Sequence, residues 1–173
     1  MALSFYEITV PNYLQTLNAV AGILDTGRNY CEENDISLDD VVAMRLIEDM
    51  NPFQFQIISV VHHSEGAMKG YESGEFAPPS GYGEPDYAGM QTMIQGAIDY
   101  ISSRDEATVN SWSRGQVTFR IGGNELPFTA ANFAQTFSMP NFYFHATTSY
   151  DMLRIKGVPL GKMNFLGQMR MGV

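Results

Sequence analysis

Three histidines are the side chains of this sequence best suited to proton transfer or metal binding. His145 stands in "NFYFHATTSY", between aromatic residues and a run of small hydroxylated residues. His62 and His63 are adjacent in "SVVHHSEG". A histidine changes its protonation near neutral pH, and a neutral imidazole binds metal ions. These positions are therefore candidates for both kinds of chemistry.

The helical period places His145 towards the interior of the protein. An ideal α-helix turns by about 100° per residue, which sets His145 beside the apolar stripe of the last predicted helix. The polar residues nearest to it on that helix are Asn141, Thr148 and Ser149. A buried imidazole must find hydrogen-bond partners, and these three side chains can supply them. We interpret His145 either as a satisfied core histidine or as the centre of a site.

The same arithmetic separates the two adjacent histidines. His63 shares its side of the helix with polar residues such as Gln56, which predicts that it is exposed. His62 lies on a second apolar stripe with Phe55 and Ile58, and this stripe could line the interior or a subunit interface. Of the two, His62 is the better candidate for a functional role.

A metal site would need more ligands than the histidine spacing supplies. Catalytic zinc or nickel usually takes three protein ligands and an open position. His62 and His145 could be joined by Glu65 or Asp49 across two helices. Ser149 occupies the position four residues after His145, so there is no H-x-x-x-H pattern. The spacing favours the absence of a cofactor over a zinc or nickel ion.

Three functions remain open from these residues. The narrowly favoured one is a small-molecule enzyme in which His145, with His62, is an acid and base for isomerisation, dehydration or cyclisation. The second is a metal-dependent enzyme with the ion at His62 and His145. The third is a non-catalytic dimeric protein that binds a small ligand, with His145 as a structural hydrogen-bonding residue.

Composition narrows the partners and the compartment. The 173 residues suit one domain spanning 1–173. The net charge of −9 and the scattered basic residues argue against nucleic-acid and membrane binding. Cys31 is the single cysteine, which fits a reducing compartment, and the start of the chain does not resemble a signal peptide. The expectation is a cytoplasmic protein that binds a small molecule.

Apolar residues at helical spacing predict four long helices. The first begins near Pro11 and fades at residues 32–35, and the second segment, capped by Ser37, contains "VVAMRLIEDM". Pro52 interrupts this segment, and a helix resumes over residues 53–71. A third helix follows a cap at Asp86, and the last covers 130–156 with a kink at Pro140.

The remaining segments have other periods. Alternating residues predict a β-hairpin over 116–128, whose second strand is an edge strand because it contains Pro127. Residues 73–86 are rich in glycine and proline and form either a mobile loop or a lid. Residues 158–173 form a tail. The predicted class is an all-α four-helix bundle with a small hairpin inserted before the last helix.

Three stretches resemble a known family. They are "MPNFYFHATTSYDMLRIKGVPLGKMNFLG" (139–167), "RLIEDMNPFQFQI" (45–57) and the opening "SFYEITVPNYLQTLNAVAGILD". Together they resemble domain-of-unknown-function family nineteen-ninety-three, within the DinB/YfiT-like helical bundles. The resemblance covers nearly the whole chain, and its C-terminal motif is long and specific.

The resemblance implies a four-helix bundle that is often dimeric. In related bundles three histidines can hold a divalent metal for thiol-transfer or isomerase chemistry. His145 matches the first histidine of the superfamily's H-x-x-x-H motif, and Ser149 stands in place of the second. His62 lies near the second-helix histidine, and Asn164 stands where the closer family usually has aspartate. The implied metal triad is thus incomplete in this sequence.

Overall fold

Long helical runs dominate residues 3–172, the part of the chain that the computed structural model describes. The α-helices are α1 (Phe5–Glu33), α2 (Leu38–Ala43), α3 (Phe53–Val61), α4 (Ala67–Ser73), α5 (Tyr87–Ser102), α6 (Glu106–Ser111), α7 (Ala130–Asn132), α8 (Met139–Ile155) and α9 (Lys162–Leu166). A π-helical turn, His62–Gly66, joins α3 to α4. Another, Phe133–Ser138, joins α7 to α8. Residues 53–73 and 130–155 are therefore two continuous helical runs.

A three-stranded sheet accompanies the helices. Its strands are β1 (Glu75–Phe76), β2 (Gln116–Ile121) and β3 (Asn124–Thr129), in the order β1-β2-β3. The predicted hairpin is confirmed: β2 and β3 pair antiparallel, and Pro127 lies on the edge strand β3. The loop predicted at 73–86 is not wholly irregular, because β1 pairs parallel with β2.

The first helix begins earlier than predicted. Helix α1 starts at Phe5, and Pro11 lies inside it. The cause is a capping box at its N-terminus: the Ser4 hydroxyl accepts from the Glu7 amide, and the Glu7 carboxylate accepts from the Ser4 amide. This cap, and not the proline, marks the start of the helix.

The prediction of a helix over "VVAMRLIEDM" was also wrong for most of that segment. Ser37 caps α2 as expected, but the helix ends at Ala43. The Met44 carbonyl accepts from the Phe53 amide at 2.9 Å, and the Arg45 guanidinium donates to the Met50 carbonyl. These bonds close residues 44–52 into a loop that leads to α3, whose N-cap residue is Pro52.

Helix α3 lies at the centre of the packing. It contacts both α5 and α8, while α1 packs against α5. Residues all around α3 are therefore buried, including the polar residues Gln56 and Ser59.

No helix within residues 3–172 is both long and apolar enough to cross a membrane.

Candidate functional site

All three histidines converge at the junction of α3, α8 and the sheet. The ring centroids of His62 and His63 are 5.3 Å apart. The rings of His63 and His145 lie 5.9 Å apart and within 9° of parallel. The prediction that His63 is exposed was wrong: its side chain is 7 % exposed. The polar face of its helix is buried because it packs against α8, where His145 bonds to Gln56 of that face.

The two π-helical turns meet at this cluster. His62 and His63 begin the first turn, and Ser138 ends the second. The Ser138 hydroxyl donates to the His63 carbonyl at 2.7 Å and is hydrogen-bonded to the hydroxyl of Tyr13 at 2.8 Å. A π-turn accommodates an extra residue in a helix and occurs frequently at functional sites. Here the two turns are tied to one another directly.

A glutamine fixes the orientation of His145. The Gln56 amide nitrogen donates to the Asn51 carbonyl at 3.0 Å, which leaves its oxygen facing the imidazole. His145 Nδ1 lies 2.7 Å from that oxygen and must donate to it. The proton of the neutral ring is therefore on Nδ1, and Nε2 carries a lone pair. Within residues 3–172, this Nε2 has no hydrogen-bond partner. It is not one of the polar atoms that are cut off from solvent.

The predicted partners of His145 do not contact its ring by hydrogen bonds. The Asn141 amide donates to the Phe137 carbonyl, the Thr148 hydroxyl to the Phe144 carbonyl and the Ser149 hydroxyl to the His145 carbonyl. Each side chain thus bonds to its own helix four residues earlier, which is the local alternative open to small polar residues. The partner comes instead from α3.

His62 is tied to the segment 73–86. Its Nε2 lies 2.7 Å from the Ala77 carbonyl, to which it must donate, and its Nδ1 accepts from the Tyr82 hydroxyl at 3.1 Å. The Phe76 ring packs against it at 4.4 Å between centroids. Both ring nitrogens of His62 are therefore occupied, and the residue holds this segment over the cluster.

Aromatic side chains make the surroundings of the cluster apolar. The rings of Phe76 and Phe137 each lie 5.6 Å from the His63 ring between centroids, and Phe55 lies 6.0 Å from His145. His63 Nδ1 is a buried nitrogen without a hydrogen-bond partner in the described residues. Such an atom is uncommon in folded proteins and asks for an explanation.

Burial keeps the histidines uncharged. Desolvation lowers the pKa of His145 to about 4. The pKa of His63 is lowered to about 3, first by burial and then by the neighbouring rings of His62 and His145. Burial also lowers the pKa of His62, although its bond to the Ala77 carbonyl opposes the shift. At pH 7 the site thus presents neutral imidazoles.

The histidines do not fit the metal site that the family resemblance implies. Both nitrogens of His62 are engaged, and the Ser149 hydroxyl is turned to its own helix. Asn164 accepts from the Gly161 amide, and Glu65 pairs with Lys69. No group of three potential ligands among histidine, cysteine, aspartate and glutamate is found in residues 3–172. The part of the chain that the structure describes therefore offers no third ligand for the ion predicted at His62 and His145.

Grooves are also found on other parts of the surface. One of about 540 Å³ runs between α1 and residues 168–170. Its lining contains no histidine. A ligand pocket beside His145 remains a prediction that depends on the accessible nitrogen of that ring.

The sequence analysis misses Gln56 and Tyr82 as residues of the site and predicts the wrong exposure for His63. Gln56 and His63 share one helix face, seven residues apart, so the signal is present and only the exposure of that face is misjudged. Tyr82 stands out as an aromatic residue in the loop, but no pattern links it to His62. Two polar residues spaced seven apart on one helix, in a chain whose last helix carries an inward histidine, are the signal that could have identified Gln56 and His63.

The fold and the site define a class of mostly helical proteins with a small sheet beside a buried histidine cluster. A similar solved structure is that of a DinB family member protein from Shewanella denitrificans. It shares 25 % identity with this chain, with a TM-score of 0.82 over 97 % of this chain and 94 % of that one. No curated protein matches. The chain belongs to the family described as "Domain of unknown function (DUF1993)", whose model matches residues 5–166.

Proposed function

We propose that this protein is a small-molecule enzyme that performs non-redox acid–base chemistry at His145. The observation that carries the proposal is the bond between His145 Nδ1 and Gln56, because it leaves Nε2 as a free proton acceptor. A positioned neutral imidazole can take a proton from a bound substrate and return it to another atom. Isomerisation, dehydration and cyclisation all need such a transfer and need no electron carrier.

The other residues have supporting roles in this proposal. Gln56 orients the base, and His62 holds the segment 73–86 over the cluster, where it would exclude water during the reaction. Thr148 and Ser149 act within α8 and do not touch the ring of His145 with their hydroxyls. His62 is thus a positioning residue in this proposal and does not transfer the proton.

The proposal extends to the assembly and the location of the protein. Four long helical runs, α1, 53–73, α5 and 130–155, would form the bundle expected of a DinB-like protein. A homodimer is supported by apolar side chains that remain exposed on the single chain. The single cysteine, Cys31, is buried and unpaired, which fits a reducing cytoplasm.

Proton exchange into deuterium oxide tests the reaction even while the product is unidentified. We would incubate the protein with a panel of small carbonyl and hydroxycarbonyl compounds and follow the loss of carbon-bound proton signals by NMR. His145→Gln should lower exchange of any active compound by about 100-fold, the usual contribution of a positioned acid–base group. Asn141→Ala, which removes a side chain bonded only to its own helix, is the control and should retain exchange. Equal exchange by His145→Gln and the wild type would contradict the proposal.

A non-catalytic role is the second candidate. The bond from His145 to Gln56 joins α8 to α3, so the histidine could serve only to stabilise that helix pair. In that case His145→Gln would lower the free energy of unfolding by about 1–3 kcal/mol, the cost of unpaired buried polar groups, without any change in proton exchange. Denaturation and exchange measured on the same variant separate the two functions.

A further inference from the structure

We propose that His63 is a second functional group of this site, a hydrogen-bond donor that works with the acceptor His145 on uncharged substrates carrying a hydroxyl group next to a carbonyl group. The inference rests on the proposed function for the role of His145. It adds a substrate class and a residue that the family resemblance does not assign to this chemistry.

The first support is the position of the two rings. They lie 5.9 Å apart between centroids and within 9° of parallel, on two helices that the Ser138–His63 bond ties together. Because the two helices that carry the rings are bonded to each other, the edges of the two rings keep a fixed position relative to one another. A small molecule with two adjacent oxygen atoms could meet both rings at once.

The second support is the hydrogen bonding of His63. Neither nitrogen of its ring has a hydrogen-bond partner in residues 3–172. Its Nδ1 is fully buried, whereas its Nε2 is not cut off from solvent. A buried N–H group left unpaired is rarer in native structures than an under-satisfied acceptor. The proton of His63 therefore belongs on Nε2, where a ligand or water can accept it. His145 has the opposite tautomer, with its proton on Nδ1 and its lone pair on Nε2.

The third support is the apolar character of the side chains that pack against the two rings. The ion pairs among the described residues include no histidine. Phe76 and Phe137 pack against His63, and Phe55 and Phe144 pack against His145. A carboxylate or phosphate would lose its hydration here without gaining a cation, which is costly. An uncharged ligand loses much less.

A donor beside an acceptor can carry out the interconversion of a hydroxycarbonyl compound. His145 Nε2 takes the proton from the carbon that bears the hydroxyl group, and that C–H bond breaks. Its electron pair forms a carbon–carbon double bond while the carbonyl π electrons move to the oxygen, which the His63 N–H stabilises. Return of the proton to the neighbouring carbon, with proton transfer between the oxygens, completes the isomerisation with no oxidant or reductant.

Nitrogen NMR of the imidazole rings tests the donor and acceptor assignment. The free protein should show His63 protonated on Nε2 and His145 protonated on Nδ1, at pH 7. Hydroxyacetone is the uncharged probe, and lactate is a charged control of similar size. We expect hydroxyacetone to shift the Nε2 signals of both rings and lactate to shift neither. The same tautomer in both rings, or an equal response to lactate, would overturn the inference.

Variants test the role of His63 in exchange. His63→Phe removes the donor and should lower the rate constant for proton exchange of hydroxyacetone by about 100-fold, the usual effect of losing one donor to a developing oxyanion. His63→Gln places an amide N–H near the position of Nε2 and should recover a large part of that loss. If His63→Phe does not fold, which circular dichroism would show, the comparison of His63→Gln with wild type and the ring tautomers decides.

The outcomes separate this inference from the proposed function. Loss of exchange in His145→Gln but not in His63→Phe would overturn the role of His63 and leave the base in place. Exchange that survives in both variants would overturn both. Loss in both, with recovery in His63→Gln and the opposite tautomers in the two rings, is the expected result.

Discussion

Gln56 decides which nitrogen of His145 is available. Its amide is fixed by the Asn51 carbonyl, so its oxygen can only accept from the imidazole. A ring oriented in this way keeps its second nitrogen as an acceptor in every molecule of the population, and the site does not spend free energy selecting a tautomer during binding. The glutamine carries no charge, so it does not stabilise the charged imidazolium form of His145.

Exchanging Gln56 for glutamate should alter the protonation of His145. The Gln56→Glu carboxylate would lie beside Nδ1 and favour the charged imidazolium, so the pKa of His145 should rise from about 4 to near or above its ordinary value. NMR titration of the ring protons measures this shift. Gln54→Glu is the matched control, because Gln54 bonds to the Pro85 carbonyl and not to a histidine. No rise in Gln56→Glu, or an equal rise in the control, would refute the prediction.

Burial of His63 should make the stability of the protein depend on pH. An unfolded histidine has a pKa of about 6.5, whereas the pKa of folded His63 is lowered to about 3. Between these values the unfolded chain binds more protons, so the free energy of unfolding rises with pH. The contribution is complete above about pH 6.5 and is lost as the pH falls towards about 3.

The measurement compares urea denaturation at pH 7 and pH 5 for the wild type and His63→Phe. The wild type should lose roughly 2 kcal/mol more than the variant over this interval, from one proton at about 1.4 kcal/mol per pH unit. The other two histidines and the carboxylates titrate in both proteins and largely cancel in the difference. Equal losses would show that His63 is not buried in its neutral form.

At the scale of secondary-structure elements, the helical period and the caps predicted the positions of the long helices well. Ser37 and Asp86 cap helices as predicted, and the last helix ends just before Gly157, which has a φ of +100°. Where the prediction failed, bonds distant in sequence or a competing cap decided the outcome. The loop at 44–52 closes through the bond from Phe53 to Met44.

The site was less predictable than the helices, for a physical reason. Apolar and polar spacing reports which residues share a face, and it correctly grouped Gln56 with His63. It does not report what packs against that face. A polar face is expected to be exposed unless the partner helix is known, and here α8 supplies His145 to receive it. The bond between Tyr82 and His62 joins a helix to an irregular segment and has no periodic signal at all.

The bond that ties the two π-helical turns should be more important than an ordinary serine bond. Ser138→Ala would leave the His63 carbonyl and the Tyr13 hydroxyl short of a partner, and should lower the free energy of unfolding by about 1–3 kcal/mol. Ser64→Ala is the matched control, since Ser64 is equally buried but donates only within its own helical run. Thermal or urea denaturation measures both. A similar decrease in the free energy of unfolding for the two variants would contradict this prediction.

At the scale of the whole molecule, the distribution of apolar surface bears on assembly. Ile47 and Ile155 are 62 % and 77 % exposed. Leu46 of the 44–52 loop and Ile155 of α8 line one cavity of about 190 Å³. Exposed apolar side chains that cluster often mark a surface covered by another molecule. The interior itself is one contiguous apolar cluster drawn from helices and sheet alike.

Light scattering after size exclusion tests the proposed homodimer. The wild type should have twice the 19.3 kDa mass of the chain, and Ile155→Glu with Ile47→Glu should shift it towards the single chain by placing charge in the covered surface. Met163→Glu is the control, because Met163 is also 61 % exposed but lies on α9. A monomeric wild type would contradict the proposal, and a dimer unaffected by the paired substitution would place the interface elsewhere.

The π-helical turns also limit how this protein can be redesigned. Each accommodates a residue that a regular α-helix would have no room for, so everything beyond it is rotated by about 100° relative to an uninterrupted helix. Deleting one residue from His62–Gly66 would restore ideal geometry to the run 53–73 and turn its upstream face away from α8. An engineer who regularised this helix in search of heat resistance would thus trade the shared alignment of the imidazoles for a smoother backbone.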